Sequence, residues 1–207
     1  RRQRQMCIRD RNRVERYAVT NDITLDVYKK ILQGEELITN PTNEIPVLNY
    51  HFFYDSSLGE GCNESICLDV KDFREQLDYL KNNGYRTVTM QEFTDWMYSK
   101  RQLPEKSVLI TVDDGAMGTG KHNGNKLIPI LEEYKMHATL FLIAGWWSAD
   151  NYRSEYLDIQ SHTFDMHQYG DCGKGQVLCA SKEEVKADLK KSLEIVDNDN
   201  SFCFPFY

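Results

Sequence analysis

The apolar positions of this chain follow two rhythms that alternate along it. Ser107-Val-Leu-Ile-Thr-Val-Asp-Asp-Gly115 opens with an apolar and β-branched run that has no polar alternation, the pattern of a strand buried on both faces of a parallel sheet. Ala138 to Ile143 repeats that pattern, Ile45 to Phe52 reads as an earlier strand, and Tyr156 to Gln160 as a short alternating one. Between them the period becomes helical. Asp69 caps a helix with Val70, Phe73, Leu77 and Leu80 on one face, and Gly84 ends it. Thr89 and Glu92 form a capping box for a helix through Phe93 and Met97. A third helix is predicted near Leu127, Ile130, Leu131 and Tyr134, with Pro129 in its first turns. Ser181 and Glu184 open a fourth, lined by Val185, Leu189, Leu193 and Val196. Tyr85 to Val88 predicts a short strand and Ser201 to Phe206 a final one. Strand–helix alternation without an internal repeat argues for a parallel, barrel-like α/β fold.

Composition adds limits to this picture. A chain of 207 residues with 41% hydrophobic and 12% aromatic residues is globular, and it is long enough for one domain with a sizeable core. No apolar run approaches the ~20 residues of a membrane span. Residues 1–16 hold seven Arg against Asp10 and Glu15, whereas the rest of the chain carries a net charge of −12. The arm is expected to be disordered or artefactual, residues 17–44 to be a lead-in with one helical piece from Leu25 to Leu32, and residues 45–207 to be the working domain. An acidic body argues against nucleic acid as a partner, and no apolar stretch of signal-peptide type follows the arginines. Cys62 and Cys67 bracket one short loop, and Cys172 and Cys179 another, so each pair is expected to close a disulfide in an oxidising compartment. Cys203 is expected to be a buried thiol.

The chemistry gathers at two places. Asp113 and Asp114 end the central strand, the end where α/β architectures place function, and Gly115 permits a sharp turn. Neighbouring strand residues face opposite ways, so the two carboxylates can serve two roles. Alone, this stretch reads equally well as a strand ending in an ordinary Asp-Gly turn. Ser161-His-Thr-Phe-Asp-Met-His167 brings two of the five histidines together after a strand. Two His and one Asp can hold a divalent metal with positions open for water, and spacing alone leaves a pair of surface histidines as the other reading. The glycine-rich Ala116 to Asn125 matches neither a P-loop nor a dinucleotide fingerprint and is read as a flexible rim loop. Trp146 and Trp147 offer rings for stacking on a sugar or for packing in the rim.

Taken together, Thr111-Val-Asp-Asp-Gly115 and His162-Thr-Phe-Asp-Met-His167 resemble the two motifs of the polysaccharide deacetylase superfamily, carbohydrate esterase family four. The longer histidine spacing is similar to the branch of poly-N-acetylglucosamine deacetylases. So are Pro46-Val-Leu-Asn-Tyr-His51, the segment from Asp72 to Val88, and Phe202-Cys-Phe-Pro-Phe206. The resemblance covers about Ile45 to Tyr207 and implies a distorted (β/α) barrel, here incomplete at its C-terminal end. It implies hydrolytic removal of N-acetyl groups from a carbohydrate polymer outside the cell or at its surface. Asp114, His162 and His167 would hold one divalent metal, Asp113 would act as general base, and the backbone N–H of Phe206 would donate to the oxyanion. Zinc is the default ion; iron, cobalt or nickel suit the same ligands. The family's usual general acid is a histidine beyond the end of this sequence, so these 207 residues alone are expected to turn over weakly or not at all. His51 and His122 are read as bystanders. Chitin, peptidoglycan and acetylated xylan remain alternative substrates. A non-catalytic carbohydrate-binding relative and a non-heme iron oxygenase remain alternative classes, and oligomeric state is not readable.

Overall fold

The computed structural model describes residues 16–18, 25, 28, 29, 32, 44–100, 103–197 and 199–206. The expected basic arm lies outside them except for Arg16, which opens strand β1 (Arg16–Ala18). The other strands are β2 (Val47–Tyr50), β3 (Phe52–Tyr54), β4 (Cys67–Asp69), β5 (Arg86–Thr87), β6 (Ser107–Asp114), β7 (Ala138–Leu142) and β8 (Leu157–Ser161). The helices are α1 (Val70–Asn82), α2 (Met90–Met97), α3 (Leu127–Tyr134), the single turn α4 (Gln176–Cys179) and α5 (Lys182–Leu193). Strands run in the order β1-β2-β6-β7-β8, with β5 also on β6, and every one of these pairings is parallel. Among the described residues β1 and β8 do not pair, so the sheet stays open. None of the described helices is long and apolar enough to cross a membrane.

All eight residues of β6 are buried, as its unbroken apolar pattern demands. One sheet face sends Leu48, Tyr50, Val108, Ile110, Val112, Leu140, Leu142 and Ile159 into the main core, where α1 adds Phe73, Leu77 and Leu80. Each such side chain stabilises by about 1.5–3 kcal/mol on burial. Tyr28 and Leu32, described residues of the stretch expected as a lead-in, join the same core. The other face holds a smaller cluster of Val47, Leu109 and Phe141 under Met90, Phe93 and Trp96 of α2. Between its apolar members lie Asn49, Thr111 and Asp113, all buried. The expected caps are in place: Asp69 accepts from Lys71 N, and Thr89–Glu92 and Ser181–Glu184 form capping boxes.

Four expectations need correction. The strand expected over Ile45 to Phe52 is two strands: β2 stays in the main sheet, β3 leaves it to pair with β4, and His51 stands at the break. Residues 201–206 form no strand beyond one bridge from Phe202 to Ser161. On α5 the buried residues are Asp188 and Ser192, while Leu193 is 46% exposed. The glycine-rich loop after β6 is not a loose rim. Thr119 is fully buried, and Asn123 Nδ2 donates to the Gly115 carbonyl at 3.0 Å. The Gly118 carbonyl accepts from Leu127 N at 2.9 Å.

Gly118 shows why that loop needs glycine. Its φ is +76°, and a Cβ there would overlap the Phe53 carbonyl. Gly59 has the same φ of +76° but open space around it. Gly118→Ala is expected to cost both the ~1–2 kcal/mol of a left-handed L-residue and the overlap; Gly59→Ala costs only the first. By thermal melting, Gly118→Ala should lower Tm by roughly 5 °C or more, and Gly59→Ala by clearly less.

Candidate metal and catalytic centre

Because β6, β7 and β8 are parallel, their C-terminal ends share one edge of the sheet. Asp114 is in register with Leu142, and Leu142 with Ser161. His162 then follows directly, its N–H bonded to the Leu142 carbonyl at 2.9 Å. A single strand therefore separates the aspartate pair from the histidine loop.

The two aspartates face different surroundings. Asp113, 3% exposed, shares its face with Thr111 and with Asn49 of β2. Thr111 Oγ1 lies 3.0 Å from Asn49 Oδ1, and Asn49 Nδ2 donates to Asp113 Oδ2 at 3.2 Å. The Cys203 thiol donates to the same oxygen at 3.6 Å. His51 Nε2 stands 3.9 Å from it. His51, read from sequence as a bystander, thus stands beside the aspartate, and the break between β2 and β3 puts it there. His122 is exposed and packs on Trp147 and Tyr152.

Asp114 turns the other way. Its φ is +77° and that of Gly115 is +83°, so the chain bends sharply at the strand end. Asp114 Oδ1 meets His167 Nε2 at 3.1 Å and His162 Nε2 at 3.4 Å. His162 is fixed from behind, its Nδ1 lying 2.9 Å from the Cys203 carbonyl. If Nδ1 carries the proton and donates there, Nε2 presents a lone pair to Asp114.

This geometry tests whether a cation fits. Asp114 Oδ1 is buried and makes no proper hydrogen bond, and lone pairs aimed at a carboxylate oxygen repel unless positive charge lies between them. Burial alone would raise the Asp114 pKa, but the two imidazoles reverse this and hold it well below the usual carboxylate range. Burial pushes His162 down, and the Asp114 carboxylate outweighs it to hold His162 well above the ordinary imidazole value. Both directions express one demand for positive charge. A tetrahedral ion with bonds of ~2.0–2.2 Å keeps its ligand atoms about 3.4 Å apart, which matches the two separations. The donors fit a divalent metal. A second grouping, Asp113, His162 and Cys203, lies equally close, but His162 Nδ1 is taken there by the Cys203 carbonyl.

The histidine loop is held by groups that no motif revealed. Asp188 of α5, 8% exposed, accepts from Phe164 N at 2.7 Å through Oδ1 and from Asp165 N at 2.9 Å through Oδ2. Ser192 of the same helix meets Ser161 Oγ at 2.7 Å. Thr163 has φ +77°, strained for a β-branched residue, and its Oγ1 accepts from Met166 N at 3.1 Å. The loop has no ladder of its own, so its buried N–H groups need outside acceptors, and this is why α5 buries Asp188 and Ser192. In Lys182 to Leu193 they read as part of a solvated charged face; only the loop beneath them shows otherwise.

Phe206, the remaining expected site residue, has φ +54°, and its ring lies over His167 at 4.6 Å. The tryptophans divide. Trp146 is 46% exposed, donates from Nε1 to Asp165 at 2.6 Å and sets its ring edge to His167; Trp147 packs against the main core. Both expected disulfides, Cys62–Cys67 and Cys172–Cys179, are formed, and Cys203 is buried and reduced.

Residues 100–199, which take in both aspartates and both histidines, match the family model described as polysaccharide deacetylase. The chain is 28% identical over 160 residues to the poly-beta-1,6-N-acetyl-D-glucosamine N-deacetylase of Staphylococcus aureus strain MRSA252, covering 70% of this chain and 53% of that one. It thus spans about half the length of the curated relatives it matches. In three dimensions it resembles IcaB from Ammonifex degensii, with a TM-score of 0.56 and 25% identity over 77% of this chain and 72% of that one. The fold is also that of the de-N-acetylase from Aggregatibacter actinomycetemcomitans, with a TM-score of 0.57 at 20% identity, covering 77% and 78% of the two chains.

Proposed function

We propose that this chain, which carries a polysaccharide deacetylase domain, removes N-acetyl groups from an N-acetylated polysaccharide by metal-assisted hydrolysis. Poly-N-acetylglucosamine is our reading of the substrate, after the name of the staphylococcal relative. The observation that carries the proposal is the convergence of His162 Nε2 and His167 Nε2 on Asp114 Oδ1, beside a second buried carboxylate held in a separate network. The catalytic domain in this reading is residues 45–207, with Tyr28 and Leu32 packed on its core.

Asp114, His162 and His167 hold the ion. Zinc is the default for two imidazoles and a carboxylate, with iron, cobalt or nickel accepted by the same donors. When bound, a divalent metal lowers the pKa of a water and polarises the acetyl carbonyl. Asp113 takes the proton of the attacking water, its carboxylate oriented by Asn49 and Cys203 through Oδ2. The backbone N–H of Phe206 is assigned to the oxyanion that develops on the acetyl oxygen. The two disulfides support work in an oxidising place, outside the cell or at its surface.

Acetate release from poly-N-acetylglucosamine, chitin, peptidoglycan and acetylated xylan tests the function. In a catalytically competent form of the chain we expect release from the first, its loss with a chelator, and its return on adding zinc. Release that is indifferent to chelation would overturn the metal reading. The Asp188 clamp makes its own prediction. Asp188→Ala removes the acceptor of two buried N–H groups between the ligand histidines, so zinc affinity should weaken about 10–100-fold, as for other groups that orient a ligand. A competing chelator measures the affinity directly; unchanged affinity would mean that the loop holds its shape without the clamp.

A further inference from the structure

Phe206 and Trp146 crowd His167 and Tyr169 stacks on Phe206, and hydrolysis as described uses none of their faces. The Phe206 ring covers His167 at 4.6 Å, and the Tyr169 ring stacks on Phe206 at 4.7 Å with 29° between the planes. Tyr169 is 73% exposed, Phe206 38% and Trp146 46%. A buried ring is held by its neighbours in the core, but an exposed one stays ordered only where something pins it. Each of these is pinned. Trp146 is bonded to Asp165. Phe206 rests on Gly175, where a Cβ would come within 3.0 Å of the Phe206 Cβ. Tyr169 opens a loop that returns as a bridge to Gly175, with Gly170 N–H bonded to the Lys174 carbonyl at 2.8 Å, and the Cys172–Cys179 disulfide ties that loop to α4.

We propose that Tyr169, backed by Phe206, is a stacking platform for the sugar ring next to the one that loses its acetyl group, and that the Cys172–Cys179 disulfide keeps the platform in place. The proposal rests on the deacetylase reading of the same site. A pyranose presents a face of C–H bonds with slight positive charge, which suits the negative face of an aromatic ring. A unit already deacetylated carries an ammonium group, which the same face attracts. Since Tyr169 reaches the ligand His167 through a single ring, its occupant must be continuous with the substrate at the metal. A glycan chain meets that demand, being one polymer with a sugar ring at every step.

The test compares the oxidised protein and its Tyr169→Ala variant on N-acetylglucosamine oligomers of rising length and on a small acetate ester without sugar. Tyr169→Ala should raise KM for the longer oligomers about three- to tenfold, the worth of an aromatic contact, with kcat within about twofold and the ester unchanged. Tyr169→Phe should keep the wild-type KM. The paired Cys172→Ser and Cys179→Ser variant should raise KM for oligomers in the same way, and adding Tyr169→Ala to it should add little. An unchanged KM at every length, or an equal loss on the ester, would overturn the platform. If a catalytically competent form of the chain releases acetate from nothing, the deacetylase reading fails by itself. Calorimetric binding of an N-acetylglucosamine oligomer then still decides the platform: weaker binding by Tyr169→Ala supports it, and equal binding overturns it.

Discussion

In a catalytically competent form of the chain, Asp113→Asn is expected to lower acetate release by about a hundredfold to ten-thousandfold, the usual worth of a general base, while most metal affinity is retained. The substitution preserves size and the acceptor that faces Asn49 and Cys203, but an amide cannot take a proton from water. His162 and His167 turn to Asp114, while Asp113 has His51 Nε2 at 3.9 Å, so the ligand set should survive. Metal content by elemental analysis, measured beside the rate, separates the two roles. Loss of metal in Asp113→Asn with retention in Asp114→Ala would exchange the assignments of the two aspartates.

Removing a ligand acts in the opposite order. Asp114→Ala, His162→Ala and His167→Ala should each lose metal first and activity with it, by more than the ~10–100-fold that an orienting group is worth. Excess zinc should rescue these three in part and Asp113→Asn not at all. His162→Ala should be the most damaging of the histidine changes. His162 is 2% exposed and tied to the Cys203 carbonyl, so its loss also leaves a buried cavity and an unpaired acceptor. Zinc titration against a chromogenic chelator reads all three, and full metal with full rate in the histidine variants would remove the proposed centre altogether.

These expectations grew from two motifs, and the structure shows how far motifs reach. The strand ending in Asp113-Asp114 was readable because burial on both faces leaves an unbroken apolar run. The caps at Asp69, Thr89 and Ser181 were readable because a cap and its partner lie within three residues. The supports of the site were not. Asn49 and Asp113 are 64 residues apart in sequence, and Cys203 and Asp113 are 90 apart. Cys203 read as a buried thiol from its apolar neighbours, which carry no sign of its bond to Asp113. His51 read as a bystander because its closeness to Asp113 depends on the chain leaving the main sheet between β2 and β3.

The sequence by itself determined the alternation of elements, the helix ends, the two disulfides and the residue types that can carry the chemistry. All of these follow from periodicity, from short spacings or from the kind of side chain at a motif position. Tertiary structure alone decided that Asp113 meets Asn49, Cys203 and His51 while Asp114 meets His162 and His167, and that α5 buries Asp188 and Ser192 instead of Leu193. It also decided that Tyr169 stands on Phe206 beside His167. The physical reason is the same in each case. A buried N–H, a carboxylate or an exposed ring takes its role from what approaches it across the fold, and the demand to satisfy buried polar groups appears only once the chain has packed.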